Sequence, residues 1–309
     1  MLESSMTTRP AVSIGLPVYN GEEYICTAIE SALAQSYNNI ELIISDNNST
    51  DKTEELCLAY AATDPRVKYF RQNKNIGPHG NFHFVATKAE GELFTWLAHD
   101  DILEPDFISE AVEYILPRPE VNLVTGDFKI IGPDGNDVGV EKLEAVRGHL
   151  PWESRRTKLF RYYPVSNSHF CIYGLMRSSV CRSVLQSVPE PKLMGGSEFP
   201  ILTRIAVQGQ MDSVERYWRK YRITINSSVS KSESIAMAKR PPITRIFLHT
   251  IALWERRCDQ LIVLMTSSLS LRQKGWTAMC MISWYIADGW RQGRRAAVRL
   301  IRTGTPWTR

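Results

Sequence analysis

Val12-Ser13-Ile14-Gly15-Leu16-Pro17-Val18 and Ile40-Glu41-Leu42-Ile43-Ile44-Ser45 are two largely apolar runs of strand length. Between them Ile25, Ile29, Ala32 and Leu33 recur at helical spacing. A run that is apolar at successive positions is buried on both faces, which a strand achieves inside a covered sheet. The alternation continues with a helical stretch from Thr53 to Ala62, a strand from Val67 to Phe70 and a helix from Asn81 to Ala89. A strand from Glu92 to Ala98 and a helix from Phe107 to Leu116 follow. Strands separated by helices of this length predict an α/β fold, a mostly parallel sheet flanked by helices.

Open sheets of this kind bind ligands beyond the carboxyl ends of their strands. Three polar clusters fall there: Tyr19-Asn20, Asp46-Asn47-Asn48-Ser49-Thr50-Asp51 and His99-Asp100-Asp101. The third is the sharpest, because the apolar run Phe94-Thr95-Trp96-Leu97-Ala98 ends abruptly in a histidine and two adjacent carboxylates. Neighbouring Asp side chains repel unless a counter-charge is near, and a hard cation such as Mn²⁺ or Mg²⁺ prefers oxygen ligands. The plainer alternative is that both acids merely open the next helix, where they suit the macrodipole. Convergence of three clusters on one sheet edge favours the ligand site. No GxGxxG or GxxxxGK[ST] occurs, which argues against a dinucleotide or P-loop cradle.

Past Val121 the pattern changes. A strand is expected from Val121 to Ile131, a turn at Gly132-Pro133-Asp134-Gly135, another strand from Ser168 to Met176, and helices from Ser179 to Gln186 and Ser197 to Gln208. Pro241-Pro242 breaks the chain, and the remainder reads as helical and basic. From Arg240 to Arg309 there are 12 Lys/Arg against 3 Asp/Glu within a net charge of +4, so the rest of the chain is acidic. A basic tail on an acidic body points to an anionic surface. Six cysteines without a CxxC pair read as reduced thiols of a cytosolic protein, and the first residues lack the basic and apolar regions of a signal peptide.

Together these segments resemble the inverting family 2 glycosyltransferases of the nucleotide-diphospho-sugar (GT-A, Rossmann-like) fold. The elements are Ser13 to Gly21, Ser45 to Asp51, Asn75-Ile76-Gly77 with Asn81, Ala89-Glu90-Gly91-Glu92, and Asp100-Asp101, in the family's order and spacing. The resemblance covers about Ala11 to Ser230. It implies a short tail over 1–10, a nucleotide-sugar-binding half over 11–120, an acceptor-binding half over 121–239, and a basic helical extension over 240–309. Pro17, Tyr19, Asp46, Asn47, Asn75, His99 and Asp100 match positions that hold the donor, with Asp46 or Asn47 on the base edge and His99 facing the ribose. Asp100 matches the family's metal-binding carboxylate, and Asp101 is expected to share the Mn²⁺ or Mg²⁺ because Ala98 stands where relatives often carry an acid. Inverting transfer needs a base for the acceptor hydroxyl. The register of Arg204 and Gly209 places Glu198 at the family's base position.

The expected activity is transfer of a single sugar from a nucleotide-diphospho-sugar, with a UDP-sugar favoured, to a hydroxyl of a polysaccharide or lipid-linked acceptor. Asp-Asn at 46 and 47, where relatives more often have two acids, bears on that uridine preference. The processive QxxRW motif is absent from Glu215-Arg216-Tyr217-Trp218-Arg219. The rivals are a non-catalytic nucleotide-sugar-binding or scaffold protein on the same fold, and a nucleotidyltransferase. The latter would carry a glycine-rich basic first loop that Pro17-Val18-Tyr19-Asn20-Gly21 lacks. In the tail, Leu261 to Leu271 and Trp276 to Ala287 are apolar but shorter than the roughly 20 residues needed to span a bilayer. Arg291, Arg295, Arg299 and Arg302 oppose Trp290, Ala297, Leu300 and Ile301 on a helical wheel, as in a helix lying in a membrane interface. Peripheral contact with the cytoplasmic face of a membrane through 243–309 and packing of these helices on the body or on a partner both fit that pattern. Nucleic acid is not expected, since no stacking platform accompanies the charge.

Overall fold

The computed structural model describes residues 11–143, 146–147, 167–188, 198–223, 261–275 and 278–279. The first half follows the alternation read from the sequence: β1 (Val12–Val18), α1 (Ile25–Leu33), β2 (Ile40–Asp46), α2 (Thr53–Thr63), β3 (Val67–Arg71), α3 (Gly77–Lys88), β4 (Leu93–Trp96) and α4 (Phe107–Ile115), with a two-residue β5 (Ile102–Leu103) before α4. The second half comprises β6 (Val121–Ile131), β7 (Asp137–Glu141), a 3₁₀ turn over Asn167–Tyr173, β8 (Leu175–Arg177), α5 (Ser178–Ser187), α6 (Glu198–Gln208) and β9 (Gln210–Arg222).

Among the described residues one sheet carries all nine strands in the order β3-β2-β1-β4-β8-β6-β9-β5, with β7 paired to β6. β3, β2, β1 and β4 are parallel, in a register that sets Val18 beside Asp46 and Gly15 beside Trp96. β8 then runs antiparallel to both β4 and β6, while β9 is parallel to β6. The parallel order expected from the sequence thus belongs to the first half, and the second half is mixed.

Side chains at alternate positions serve two cores. Val12, Ile14, Leu16 and Val18 of β1 join Ile40, Leu42 and Ile44 of β2 against α1, α2 and α4. Ile43, Phe94, Trp96 and Leu123 pack instead with Val85 of α3, Cys181 of α5 and Ile205 of α6. Gly15 lies on that second face, where an added Cβ would stand 2.8 Å from both Val85 and Phe94. The missing side chain is what lets α3 lie close to the sheet.

Three expectations are corrected. The strand expected over Ser168 to Met176 is a 3₁₀ turn followed by the short β8. A short apolar run does not distinguish the two, since Cys171 and Ile172 are buried in the turn as they would be in a strand. α3 starts at Gly77 rather than Asn81, with Pro78 in its first turn, where the missing N–H costs nothing. β4 stops at Trp96, and the Asp101 amide donates to the Ala98 carbonyl (3.1 Å) to turn the chain.

Most of the tail lies outside the described residues, the arginine helix included. In its described part Leu264 is fully buried and belongs to the second core, while Ile262, Met265 and Leu271 are exposed. No helix among the described residues is long and apolar enough to cross a membrane.

Candidate active site

Three loops leave the carboxyl ends of β1, β2 and β4, and hydrogen bonds join the first two. The Asn20 amide donates to Ser49 Oγ (2.9 Å) and its side-chain Oδ1 accepts from the Thr50 amide (2.9 Å). The Gly21 amide donates to Thr53 Oγ1 (2.8 Å), and the Glu22 amide to Asp51 (3.0 Å). Asn20 and Asn48 both adopt positive φ, 49° and 63°, a backbone region asparagine tolerates better than most residues. Gly21 meets the third loop: a Cβ there would lie 2.7 Å from His99 Cδ2 and 2.6 Å from Val18. His99 therefore rests on the β1 loop, part-buried; in that segment Tyr19 is exposed and Pro17, two residues before it, is buried.

Asp46 ends β2 with no exposed surface. One carboxylate oxygen accepts from the Ser49 amide (2.8 Å), and the other from Tyr69 Oη (2.9 Å) and Arg71 Nη1 (2.8 Å). Burial first, and then the bond to Asp46, push the Tyr69 hydroxyl well above its ordinary range. Arg71 also reaches the Ser49 carbonyl (3.0 Å) and Glu54 (2.8 Å), so one guanidinium binds the β2 loop to β3 and α2.

Asn47 is committed just as fully. Its Nδ2 donates to Asn75 Oδ1 (3.0 Å) and the Gly77 carbonyl (3.2 Å), and its Oδ1 accepts from the Ile76 amide (2.8 Å). Asn75 Oδ1 also accepts from the Gly77 amide (2.8 Å), which fixes its orientation. An aspartate could accept but not donate, and it would set an oxygen against two oxygens. The amide at 47 therefore anchors the 75–77 loop. Asn47→Asp is expected to cost about 1–3 kcal/mol, because Asn47 is itself buried and a carboxylate there would face two acceptor oxygens. Thermal melting would show the loss, and faster amide exchange at Ile76 and Gly77 would place it.

The two acids of the third loop have different environments. Asp100 is part-buried, and its backbone carbonyl accepts from Arg222 Nε (2.9 Å). Asp101 is 1% exposed and turned inward: Oδ1 accepts from the Arg222 amide (3.1 Å), and Oδ2 lies 3.8 Å from Arg219 Nη1. Burial, followed by the neighbouring Asp100 charge, pushes Asp101 up to about 7 against the pull of both arginines. Arg219 is itself buried and donates through Nη2 to the carbonyls of Trp96 (2.7 Å) and Tyr173 (2.9 Å).

Glu198 begins α6, and Arg204 and Gly209 follow on and after that helix in the expected register. At Gly209 an added Cβ would run into the Asn122 side-chain amide, which would have to move to admit it. Sequence reasoning does not single out Arg71 or Arg219 as site residues, and it meets Arg222 only in Arg222-Ile223-Thr224, where many relatives of the family carry Arg-x-His. The available signal was the acid pair, whose repulsion required a counter-charge that β9 partly supplies.

Among the described residues, no three His, Cys, Asp or Glu side chains form a ready-made metal centre. Asp100 is a part-buried carboxylate whose side chain is not the group bonded to Arg222. That suits a cation which keeps several waters and takes one or two carboxylates plus phosphate oxygens, as Mg²⁺ does.

A parallel β/α half with its loops gathered at the strand ends, continued by a mixed half, is the GT-A architecture. S. aureus TarS 1–349 in complex with UDP-GlcNAc shares it over 89% of this chain and 72% of that one, with a TM-score of 0.65 at 14% identity. The mannosyltransferase PcManGT from Pyrobaculum calidifontis, in complex with GDP-Man and Mn²⁺, matches over 92% and 88% with a TM-score of 0.52 at 16% identity. The chain belongs to glycosyl transferase family 2, whose model matches residues 13–182. An uncharacterized glycosyltransferase of Haemophilus influenzae is 36% identical over 191 residues, 58% of this chain and 76% of the relative. One from Rickettsia typhi is 41% identical over 109 residues, which is 35% of this chain but a third (33%) of the relative's length.

Proposed function

We propose that the chain transfers a single sugar from a nucleotide-diphospho-sugar to an acceptor hydroxyl with inversion, 11–120 holding the donor and 121–239 the acceptor. The observation that carries this reading is the meeting of the β1, β2 and β4 loops at one sheet edge, with the Asp100 carboxylate there and left free by Arg222. Tyr19, with Pro17, lies against the nucleoside, His99 faces the ribose, and Asp46, itself without exposed surface, acts by holding Arg71 at the base edge. Asn47 and Asn75 act by shaping the loop beside it. Asp100 is the residue whose carboxylate would hold Mn²⁺ or Mg²⁺. When bound, the cation neutralises charge on the departing diphosphate. Asp101, turned toward Arg219 and Arg222, supports the turn from within.

A uridine donor is favoured by the family resemblance, and UDP-GlcNAc in the TarS structure supports it. The acceptor belongs to a polysaccharide or lipid-linked precursor, with the basic segment 243–309 meeting anionic headgroups. The test is a thermal-shift panel of UDP- and GDP-sugars with Mn²⁺ or EDTA, followed by donor hydrolysis with the best ligand. Stabilisation that needs Mn²⁺, together with slow hydrolysis, is the expected result. Binding with no hydrolysis would favour a non-catalytic binding protein instead.

Glu198 is the proposed base, positioned at the start of α6. Glu198→Gln is expected to lower turnover by about 10²–10⁴-fold, the usual worth of a general base. Donor affinity should stay within a few-fold in calorimetry, and near-normal turnover would remove Glu198 from the role.

A further inference from the structure

We propose that Arg222 is a positioning residue for the Asp100 carboxylate, acting through the backbone of the His99–Asp101 turn without touching the donor. The inference rests on the donor-site reading above. Two bonds from this one residue bracket Asp100: Arg222 Nε donates to the Asp100 carbonyl (2.9 Å), and the Arg222 amide donates to Asp101 Oδ1 (3.1 Å). Together they fix the peptide that follows Asp100 and the side chain next to it.

The guanidinium is itself immobilised from two other directions. Its Nη1 donates to the carbonyls of Gly132 and Pro133, each at 3.1 Å, in the turn after β6. Its face lies over the Tyr24 ring, 4.4 Å from the centroid, at the residue preceding α1. Arg222 is only 6% exposed, so these contacts are dry enough to matter. One planar fork thus joins the loop after β1, the turn after β4 and the turn after β6. Its charge also lies beside Asp101, so Arg219 and Arg222 offset that acid and leave Asp100 as the carboxylate offered to a cation.

A lysine keeps the charge but not the fork, because one ammonium cannot reproduce the directed Nε and Nη1 bonds together with the flat contact on Tyr24. Groups that orient a metal ligand from behind typically change metal affinity by about 10–100-fold when lost. Arg222→Lys should therefore weaken Mn²⁺ binding about tenfold, titrated by electron paramagnetic resonance with UDP present, and with GDP if UDP gives no shift in the parent protein. Affinity for the same nucleoside diphosphate without metal should stay within about twofold, a separation that general loosening of the fold would not produce.

Unchanged Mn²⁺ affinity would overturn the proposal, as would parallel losses of metal-dependent and metal-free binding. If Arg222→Lys fails to fold, Tyr24→Leu removes only the stacking face. It should then shift Mn²⁺ affinity in the same direction by a smaller factor, and no shift would again overturn it. Asp100→Asn separates the two levels of the argument. Its failure to alter Mn²⁺ binding counts against the donor-site reading itself. A loss there, with Arg222→Lys unchanged, leaves that reading standing and removes the positioning role.

Discussion

Asp100→Ala is expected to abolish metal-dependent donor turnover while leaving the protein folded. The carboxylate is part-exposed, and the group bonded to Arg222 is the backbone carbonyl, which alanine retains. A cation on a departing diphosphate takes several kcal/mol off the barrier, and at about 1.36 kcal/mol per decade its loss is a fall on the order of a thousandfold. The measurement is hydrolysis or transfer over a Mn²⁺ series, with the melting temperature recorded alongside. The variant should also lose the Mn²⁺-dependent part of nucleotide binding. Undiminished turnover in a folded variant would exclude Asp100 as the metal-holding residue.

Arg219→Met is expected to have the largest effect on stability. Arg219 is 2% exposed, and its two partner carbonyls belong to Trp96 and Tyr173 on different elements. Methionine replaces much of the stem volume, so the loss is mainly polar. It leaves two carbonyls without that donor and the Asp101 carboxylate without its guanidinium neighbour at 3.8 Å. Breaking a buried pair by removing one partner costs about 3–5 kcal/mol. Chemical denaturation would read this as a lowered midpoint with little change in slope. If the pair is the cause, Asp101→Asn should cost less in the Arg219→Met background than in the parent protein. Strict additivity of the two substitutions would show that the carbonyl bonds alone account for the loss.

These outcomes bear differently on what was legible beforehand. Asp100 and Asp101 are identical in type and adjacent in sequence, and sequence alone offers both as metal carboxylates. The structure separates them, because the turn at Ala98–Asp101 leaves Asp100 part-exposed and sends Asp101 inward to β9. The family resemblance places Asp46 or Asn47 on the base edge, and in the structure the Asn47 donors are engaged by Asn75 and Gly77, nearly thirty residues further on, a contact that no local pattern encodes.

The alternation of apolar runs with helix-spaced stretches over residues 11–116 displayed the β/α order, because a strand buried on both faces is apolar at successive positions whichever strand it pairs with. The polar clusters at the strand ends followed from the same reading, and with them the family and Asp100. Only the tertiary structure decided how the site is held. β9 joins β6 with shifts in register around Asp127, so that Arg219 comes opposite Phe128 and Arg222 opposite Ile131. That long-range pairing carries two arginines to a turn more than a hundred residues earlier in the chain. Hydrophobic period is a local property that sequence displays directly. Strand register across such a distance depends on bulges and on the packing of the whole sheet, and no window of sequence contains it.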